Sequence, residues 1–223
     1  PDVVVTKDFV AVMIGTGNRE RPLLGAFPLA DKVDSGDRFF SFYDRVLAKD
    51  PSKLGSPLTV ASLGSFSYDK TAKTWSGAGT DAGCSYALPW SPTGEKIVNA
   101  PITVGGRTLF STNEPVPAPP EVTDPSAKKV CTPKFGIART YAVPVFCEKP
   151  AFTQLLNGGL PPTPVTGLVD LGDGVIKRFL IGGAPPDASR GYDGSKSSIG
   201  TSRPPVAVES KRKRTYWYPN RER

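Results

Sequence analysis

The sequence predicts an all-β protein, part of a β-propeller with about three to four antiparallel blades and long Pro/Gly-rich loops, completed by further blades outside this chain. Three observations carry that expectation. The chain of 223 residues contains 24 Pro and 23 Gly, about a fifth of its length against roughly 12% in average usage. Neither residue is tolerated inside long helices. Short β-branched and aromatic runs alternate with turn residues, and one strand plan recurs three times. The hydrophobic fraction of 38% is too high for a disordered chain.

The runs read in order as follows. Val3-Val4-Val5 and Phe9 to Ile14 are apolar and end at Gly15-Thr16-Gly17-Asn18. Arg38 to Tyr43 is dense in aromatic residues, as a buried strand is. Leu58-Thr59-Val60 comes next, then a polar stretch to Gly83, then Lys96-Ile97-Val98. The clearest hairpin joins Pro101 to Val104 and Arg107 to Phe110 through Gly105-Gly106, the residues a tight primed turn requires. Arg139 to Val143, Thr163 to Thr166, Ile176 to Ile181 and Arg214 to Tyr218 complete the set. Asp44 to Lys49 and Phe152 to Leu156 are the two places where a turn or two of helix is expected. Residues 113–129 and 184–205 are rich in Pro, Gly, Ser and charge, and read as long surface loops.

The recurrence is the most informative feature. Each unit runs from an apolar strand through a turn and a loop to an aromatic strand. Ile14, Phe110 and Ile181 are equivalent in this scheme, which gives periods of 96 and 71 residues. A small sheet with apolar residues on both faces buries them only by stacking on copies of itself, about 10 Å apart. A closed ring of such sheets needs about four to eight blades. Three units do not close one.

Composition narrows the chemistry. The chain has no histidine, so every mechanism that needs an imidazole within it is excluded. The net charge is +7, but Lys211, Arg212, Lys213, Arg214, Arg221 and Arg223 account for six of it and the rest of the chain is near +1. Lys211 to Arg214 precede Thr215-Tyr216-Trp217-Tyr218, a mixture that single-stranded nucleic-acid binders also use. A solvated lead-in to a packed aromatic strand is the plainer reading, and a patch for anionic partners the sharper one; nucleic acid is not the expected partner. Of the three cysteines, Cys84, Cys131 and Cys147, the last two would close a loop of about 15 residues, contributing roughly 3 kcal/mol. Three free thiols are the other reading. No apolar run reaches the length of about 18 residues that spans a membrane as a helix. The chain begins at Pro1 and is read as a piece of a longer protein, any targeting signal lying in the missing part.

Several motifs resemble the C-terminal propeller of PilY/PilC-type pilus proteins: Ile14 to Glu20 with Pro22-Leu23 and Asp37 to Phe40, Gly94 to Gly106, Gly136 to Val143, Gly158 to Val165, and Arg214 to Tyr218. In series they cover most of the chain outside its two long loops. The resemblance implies the distal, C-terminal part of an exported protein at the type IV pilus tip, in the periplasm, outer membrane or cell surface. Pilus biogenesis, surface adhesion and twitching motility would be its work. Its partners would be the remaining propeller blades, minor pilins and a host or abiotic surface. Members of this family bind calcium through an acidic loop. Asp170-Leu171-Gly172-Asp173-Gly174 lacks the remaining oxygen ligands and reads as a turn, so no cofactor is expected in this chain.

Other signals have plain explanations. Gly15-Thr16-Gly17 lacks the third glycine and the following helix of a dinucleotide site, and reads as a turn with positive φ. Glu95 beside Lys96, and Asp31, Asp34 and Asp37, read as surface charges; Trp75, Trp90 and Trp217 read as packing residues. The chain is therefore expected not to be an enzyme. A quinoprotein-like propeller dehydrogenase and a propeller scaffold for outer-membrane protein assembly are the rival functions.

Overall fold

A computed structural model describes residues 1–20, 36–45, 58–115, 136–155, 158–170, 175–182, 201–202 and 210–211. These residues form an all-β protein of three sheets, none of them closed. Sheet 1 contains β1 (Asp2–Val5), β2 (Val10–Gly15), β3 (Arg38–Asp44), β4 (Gly64–Asp69), β5 (Thr74–Gly77) and β6 (Gly83–Ala87) in the order β1-β2-β3-β6-β4-β5. Its neighbours are antiparallel except β4 and β6. Sheet 2 contains β7 (Lys96–Ile97), β8 (Ile102–Val104), β9 (Arg107–Glu114), β10 (Ile137–Pro144) and β11 (Ala151–Gln154), ordered β11-β10-β9-β7 with β8 also on β9. Sheet 3 contains β12 (Val165–Asp170), β13 (Val175–Ile181), β14 (Thr201–Ser202) and β15 (Ser210–Lys211), all antiparallel.

The described parts of each recurrent unit fall within one sheet. The strand numbers differ, and so does one equivalence. Ile14 points away from the core that sheet 1 shares with sheet 2, while Phe110 points from sheet 2 back toward sheet 1. The residue of sheet 3 that points back toward sheet 2 is Leu180, packed with Leu109 and Ala142. Ile181 faces the other way, because a slip of one residue along a strand exchanges the faces.

The sheets pack by side chain. In β3 buried and half-buried residues alternate, and Phe39, Ser41 and Tyr43 point inward. In β9 and β10 every residue after the first is buried. Phe110, Tyr141 and Val143 meet sheet 1 in the main core, and Leu109 and Ala142 meet sheet 3 on the opposite face. Phe110 stacks between Phe39 at 4.3 Å and Tyr141 at 5.2 Å, ring centre to ring centre.

The predicted hairpin is present, with Val104 opposite Arg107 and φ of 59° and 78° at Gly105 and Gly106. Other expectations change. Leu58 to Val60 leads into a 3-10 turn at Val60–Ser62 with Leu58 and Val60 exposed, and the strands lie in the supposedly polar stretch beyond it. There Phe66, Trp75, Cys84 and Tyr86 are buried while Ser65, Ser67 and Ser76 face outward. Phe152 to Gln154 belong to strand β11 and not to a helix, held by pairing of Tyr141 with Phe152. Asn113 and Glu114 extend β9, so the first loop starts later than 113. Thr201–Ser202 within 184–205 pair with β13. Arg214 to Tyr218 and the rest of both loops lie outside the described residues.

The cysteine expectation is overturned. Cys147 is bonded to Cys84, 63 positions away in sequence, with Cα atoms 5.8 Å apart, so it does not pair with Cys131. The bond joins β6 of sheet 1 to the turn after β10 of sheet 2. A loop of that length stabilises the fold by about 4 kcal/mol in the chain-entropy account, more than the shorter loop would. Proteolysis without reduction, followed by mass spectrometry, is expected to yield a linked pair of peptides containing Cys84 and Cys147. A Cys131–Cys147 pair would contradict the fold.

Candidate functional site

The densest polar cluster lies where the 90–99 segment crosses β9 and β10. A 3-10 turn at Ser91–Thr93 ends in Gly94, whose φ of 93° reverses the chain. Glu95 follows, and its exposure is 0%. Its Oε1 accepts from the Thr112 hydroxyl at 2.6 Å, the Tyr141 hydroxyl at 2.8 Å and Arg139 Nη1 at 3.4 Å. Its Oε2 accepts from the Trp90 backbone N–H at 3.0 Å. Arg139, 2% exposed, reaches Glu114 through Nη2 at 2.8 Å, and the Thr93 hydroxyl donates to the other Glu114 oxygen. The guanidinium lies 3.5 Å from the centre of the Trp90 ring, an arrangement that suits the planar cation.

Two carboxylates thus share one buried guanidinium. Burial is the main reason that the Tyr141 hydroxyl is held well above its ordinary pKa, and the adjacent Glu95 charge adds to it. Tyr141 therefore stays protonated and donates. Both carboxylates face donors supplied by the fold, and the arrangement fastens strands together. Glu95 is accordingly not a surface charge. The usable sequence signal was its place after Gly94 in a turn that folds back on Trp90. Arg139 within an apolar strand was a second signal, since a buried cation requires anionic partners.

Gly15-Thr16-Gly17 forms a second seam. Thr16 donates its N–H to the Arg38 carbonyl at 2.9 Å, and its hydroxyl accepts the Arg38 N–H at 2.8 Å. Its own carbonyl accepts the Ile97 N–H at 3.2 Å. This triplet therefore ties sheet 1 to sheet 2. A Cβ on Gly15 would lie 2.3 Å from Ile97 Cδ1, and one on Gly17 2.3 Å from the Ile97 carbonyl oxygen. Gly17 has the expected positive φ, +145°, but the triplet is not a turn: it runs on from β2 beside Arg38, and close approach of two backbones is the demand on the motif. Arg19 Nη1 donates to the Val98 carbonyl at 3.2 Å.

A third seam leads toward sheet 3. Asn99 accepts the Ser111 N–H at 2.8 Å and donates to the Pro162 carbonyl at 3.0 Å, while Asn113 donates to the Gly159 carbonyl at 2.6 Å. Three of the sequence stretches singled out above, 14–20, 94–106 and 158–165, thus meet at junctions between sheets.

A fourth set surrounds the disulfide. The Tyr43 hydroxyl donates to the Val145 carbonyl at 2.6 Å, and that of Tyr86 to the Glu148 carbonyl at 3.0 Å. Burial pushes the Tyr43 hydroxyl from 10.0 up to about 12, and Tyr86 shifts in the same direction for the same reason.

Of the basic residues 211–214, the backbone of Lys211 pairs with Val175 in sheet 3, and Arg212, Lys213 and Arg214 lie outside the described residues. Cys131, Trp217 and 171–174 of the Asp170 turn lie outside them too. Trp75 is buried and Trp90 half-buried, both within the aromatic packing. Among the described residues no helix is long and apolar enough to cross a membrane.

Arg139→Met is expected to destabilise the protein by about 3–5 kcal/mol, because it leaves two buried carboxylates without their cation. Urea unfolding measures the effect, and a loss below about 1 kcal/mol would contradict this account. Because the raised pKa of Tyr43 favours its neutral form in the fold, that contribution is whole below pH 10 and is lost as pH rises through about 12. Tyr43→Phe is expected to flatten the fall of stability across that window. An unchanged alkaline slope would contradict the burial of this hydroxyl.

No family model matches the chain, and no curated protein matches it. Among solved structures, one similar to it is the crystal structure of the Pseudomonas aeruginosa PilY1 C-terminal domain, at 12% identity and a TM-score of 0.47. The likeness covers 80% of this chain and 42% of that one, so the chain spans about two-fifths of that domain's length.

Proposed function

We propose that the chain is a non-enzymatic part of the type IV pilus tip and biogenesis machinery, acting in pilus assembly, surface adhesion and twitching motility. It does so as part of a β-propeller whose ring is completed by sheets outside the stack. The observation that carries this reading is the position of the motif-bearing stretches. Residues 14–20, 94–106, 136–143 and 158–165, which resemble the pilus family in sequence, supply the Thr16–Ile97 contact between sheets 1 and 2, the Asn99–Pro162 contact toward sheet 3 and, inside sheet 2, the Glu95–Arg139 pair. Sheet 2, buried on both faces, is packed as an interior blade is. The Cys84–Cys147 disulfide supports an exported protein, since such bonds persist in oxidising compartments. Glu95, Glu114 and Arg139 are engaged in holding strands, which supports a binding role exercised through loops and edges.

Immobilised chain is expected to retain purified minor pilins and not outer-membrane assembly factors. The purified protein is expected to show no absorbance beyond that of its aromatic residues. Retention of the assembly factors alone would favour the scaffold function, and a quinone-like absorbance would favour the dehydrogenase.

A further inference from the structure

The disulfide is prepared from both sides. Cys84, in β6 of sheet 1, is wholly buried. Cys147 sits in the turn after β10 with φ of 56°, a left-handed conformation that a free chain rarely adopts outside glycine. Two hydroxyls of sheet 1 hold that turn on either side of Cys147, Tyr43 by the Val145 carbonyl at 2.6 Å and Tyr86 by the Glu148 carbonyl at 3.0 Å. The Tyr43 oxygen also lies 2.9 Å from Cys147 Sγ, and the Tyr86 oxygen 3.3 Å from Cys84 Sγ. Gly79 leaves room for the bond, since a Cβ there would lie 2.5 Å from Cys147 Cβ. Cys147 is therefore aimed at Cys84 only once β3, β6 and the turn have come together. The Tyr43–Val145 contact that does the aiming spans 102 positions of sequence.

Before that assembly the chain favours other bonds. Cys131 lies outside the described residues, but its place in the sequence makes it the nearer partner of both cysteines. It is 16 positions from Cys147 and 47 from Cys84, against 63 between the bonded pair. In an unfolded chain, closing the shorter loop to Cys147 is favoured over closing the native one by about eightfold. A chain exported N-terminus first also offers Cys131 to Cys84 before it offers Cys147. Pairing of strands far apart in sequence is slow by comparison. We infer that the protein is a substrate of a thiol–disulfide isomerase, which undoes bonds to Cys131 and delivers Cys84–Cys147. This inference rests on the exported part of the reading above and not on the pilus role. A disulfide oxidant first makes Cys131–Cys147 and is itself reduced to a dithiol. The isomerase thiolate then attacks Cys147 Sγ, and Cys131 leaves as a thiolate and takes up a proton. The Cys84 thiolate attacks Cys147 Sγ in turn and expels the isomerase thiolate, so the exchange needs no further oxidant. Burial of Cys84 closes that sulfur to renewed attack.

Oxidative folding of the reduced whole chain tests this, with the bonds read by proteolysis without reduction and mass spectrometry. Oxidised in urea, the chain is expected to carry Cys131–Cys147 over Cys84–Cys147 by about eightfold. An excess of Cys84–Cys147 in urea would overturn the inference. With oxidised glutathione and no urea, wild type is expected to gain Cys84–Cys147 about tenfold faster when a catalytic amount of purified bacterial disulfide isomerase is present. Cys131→Ser is expected to gain the bond at one rate with or without the isomerase. Wild type that forms Cys84–Cys147 unaided as fast as Cys131→Ser would overturn the inference, because the docked sheets would then select the pair themselves. A wild type that the isomerase does not accelerate would overturn it too, and failure of Cys131→Ser to form the bond at all would overturn the pairing. None of these results bears on retention of minor pilins, so the functional proposal stands or falls separately.

Discussion

Burial of sheet 2 on both faces is the constraint from which the other features follow. A strand exposed on one side needs apolar residues only at every second position, but β9 and β10 are buried almost throughout. The polar groups they carry must therefore find partners inside the protein, and of their buried side-chain nitrogens and oxygens only Arg139 Nε lacks one among the described residues. Thr112, Asn113, Glu114 and Arg139 do so by bonding to the segments that pass over the sheet, and Arg139 also to Glu114 on the neighbouring strand. The charge cluster and the asparagine bridges are consequences of the layered packing. They also specify it, since Glu95 has its donors only when Trp90, Thr112, Arg139 and Tyr141 converge.

The aromatic residues occupy the space between these layers. Phe39, Phe110 and Tyr141 stack in succession, and Tyr141 continues to Phe152, which meets Tyr68 and Trp90. The disulfide closes the same interface at its far side and fixes the turn whose carbonyls accept the Tyr43 and Tyr86 hydroxyls. Apolar area, ring stacking and a covalent link act on one junction, while the buried ion network holds sheet 2 itself. Sheet 3 contacts sheet 2 through a smaller cluster around Leu180.

Much of this was legible in the residues. The Gly105-Gly106 hairpin, the strands at Val10 to Ile14, Arg38 to Tyr43 and Arg139 to Val143, and the grouping into three units all appear where composition and turn chemistry place them. Strands β4 to β6 were hidden because Ser, Gly and Thr alternate with single aromatic residues. The inward period-2 pattern of Phe66 and Tyr86 is clear only once the buried face is known. The Cys84–Cys147 pairing joins residues far apart in sequence, and loop length alone favours the nearer cysteine. Glu95 beside Lys96 has the local appearance of solvent-exposed charge. Its burial is set by Arg139, 44 residues away in sequence, and no local pattern reports that.

Native-state hydrogen exchange tests the central claim most directly, because amides of a doubly covered sheet open only with the whole domain. The account predicts that the β9 and β10 amides, in the paired stretch from Leu109 to Thr112 and Arg139 to Ala142, exchange most slowly of all and with the free energy of global unfolding. Exchange there as fast as in edge strand β1 would mean that sheet 2 is not the covered middle of the stack, and the account would fail.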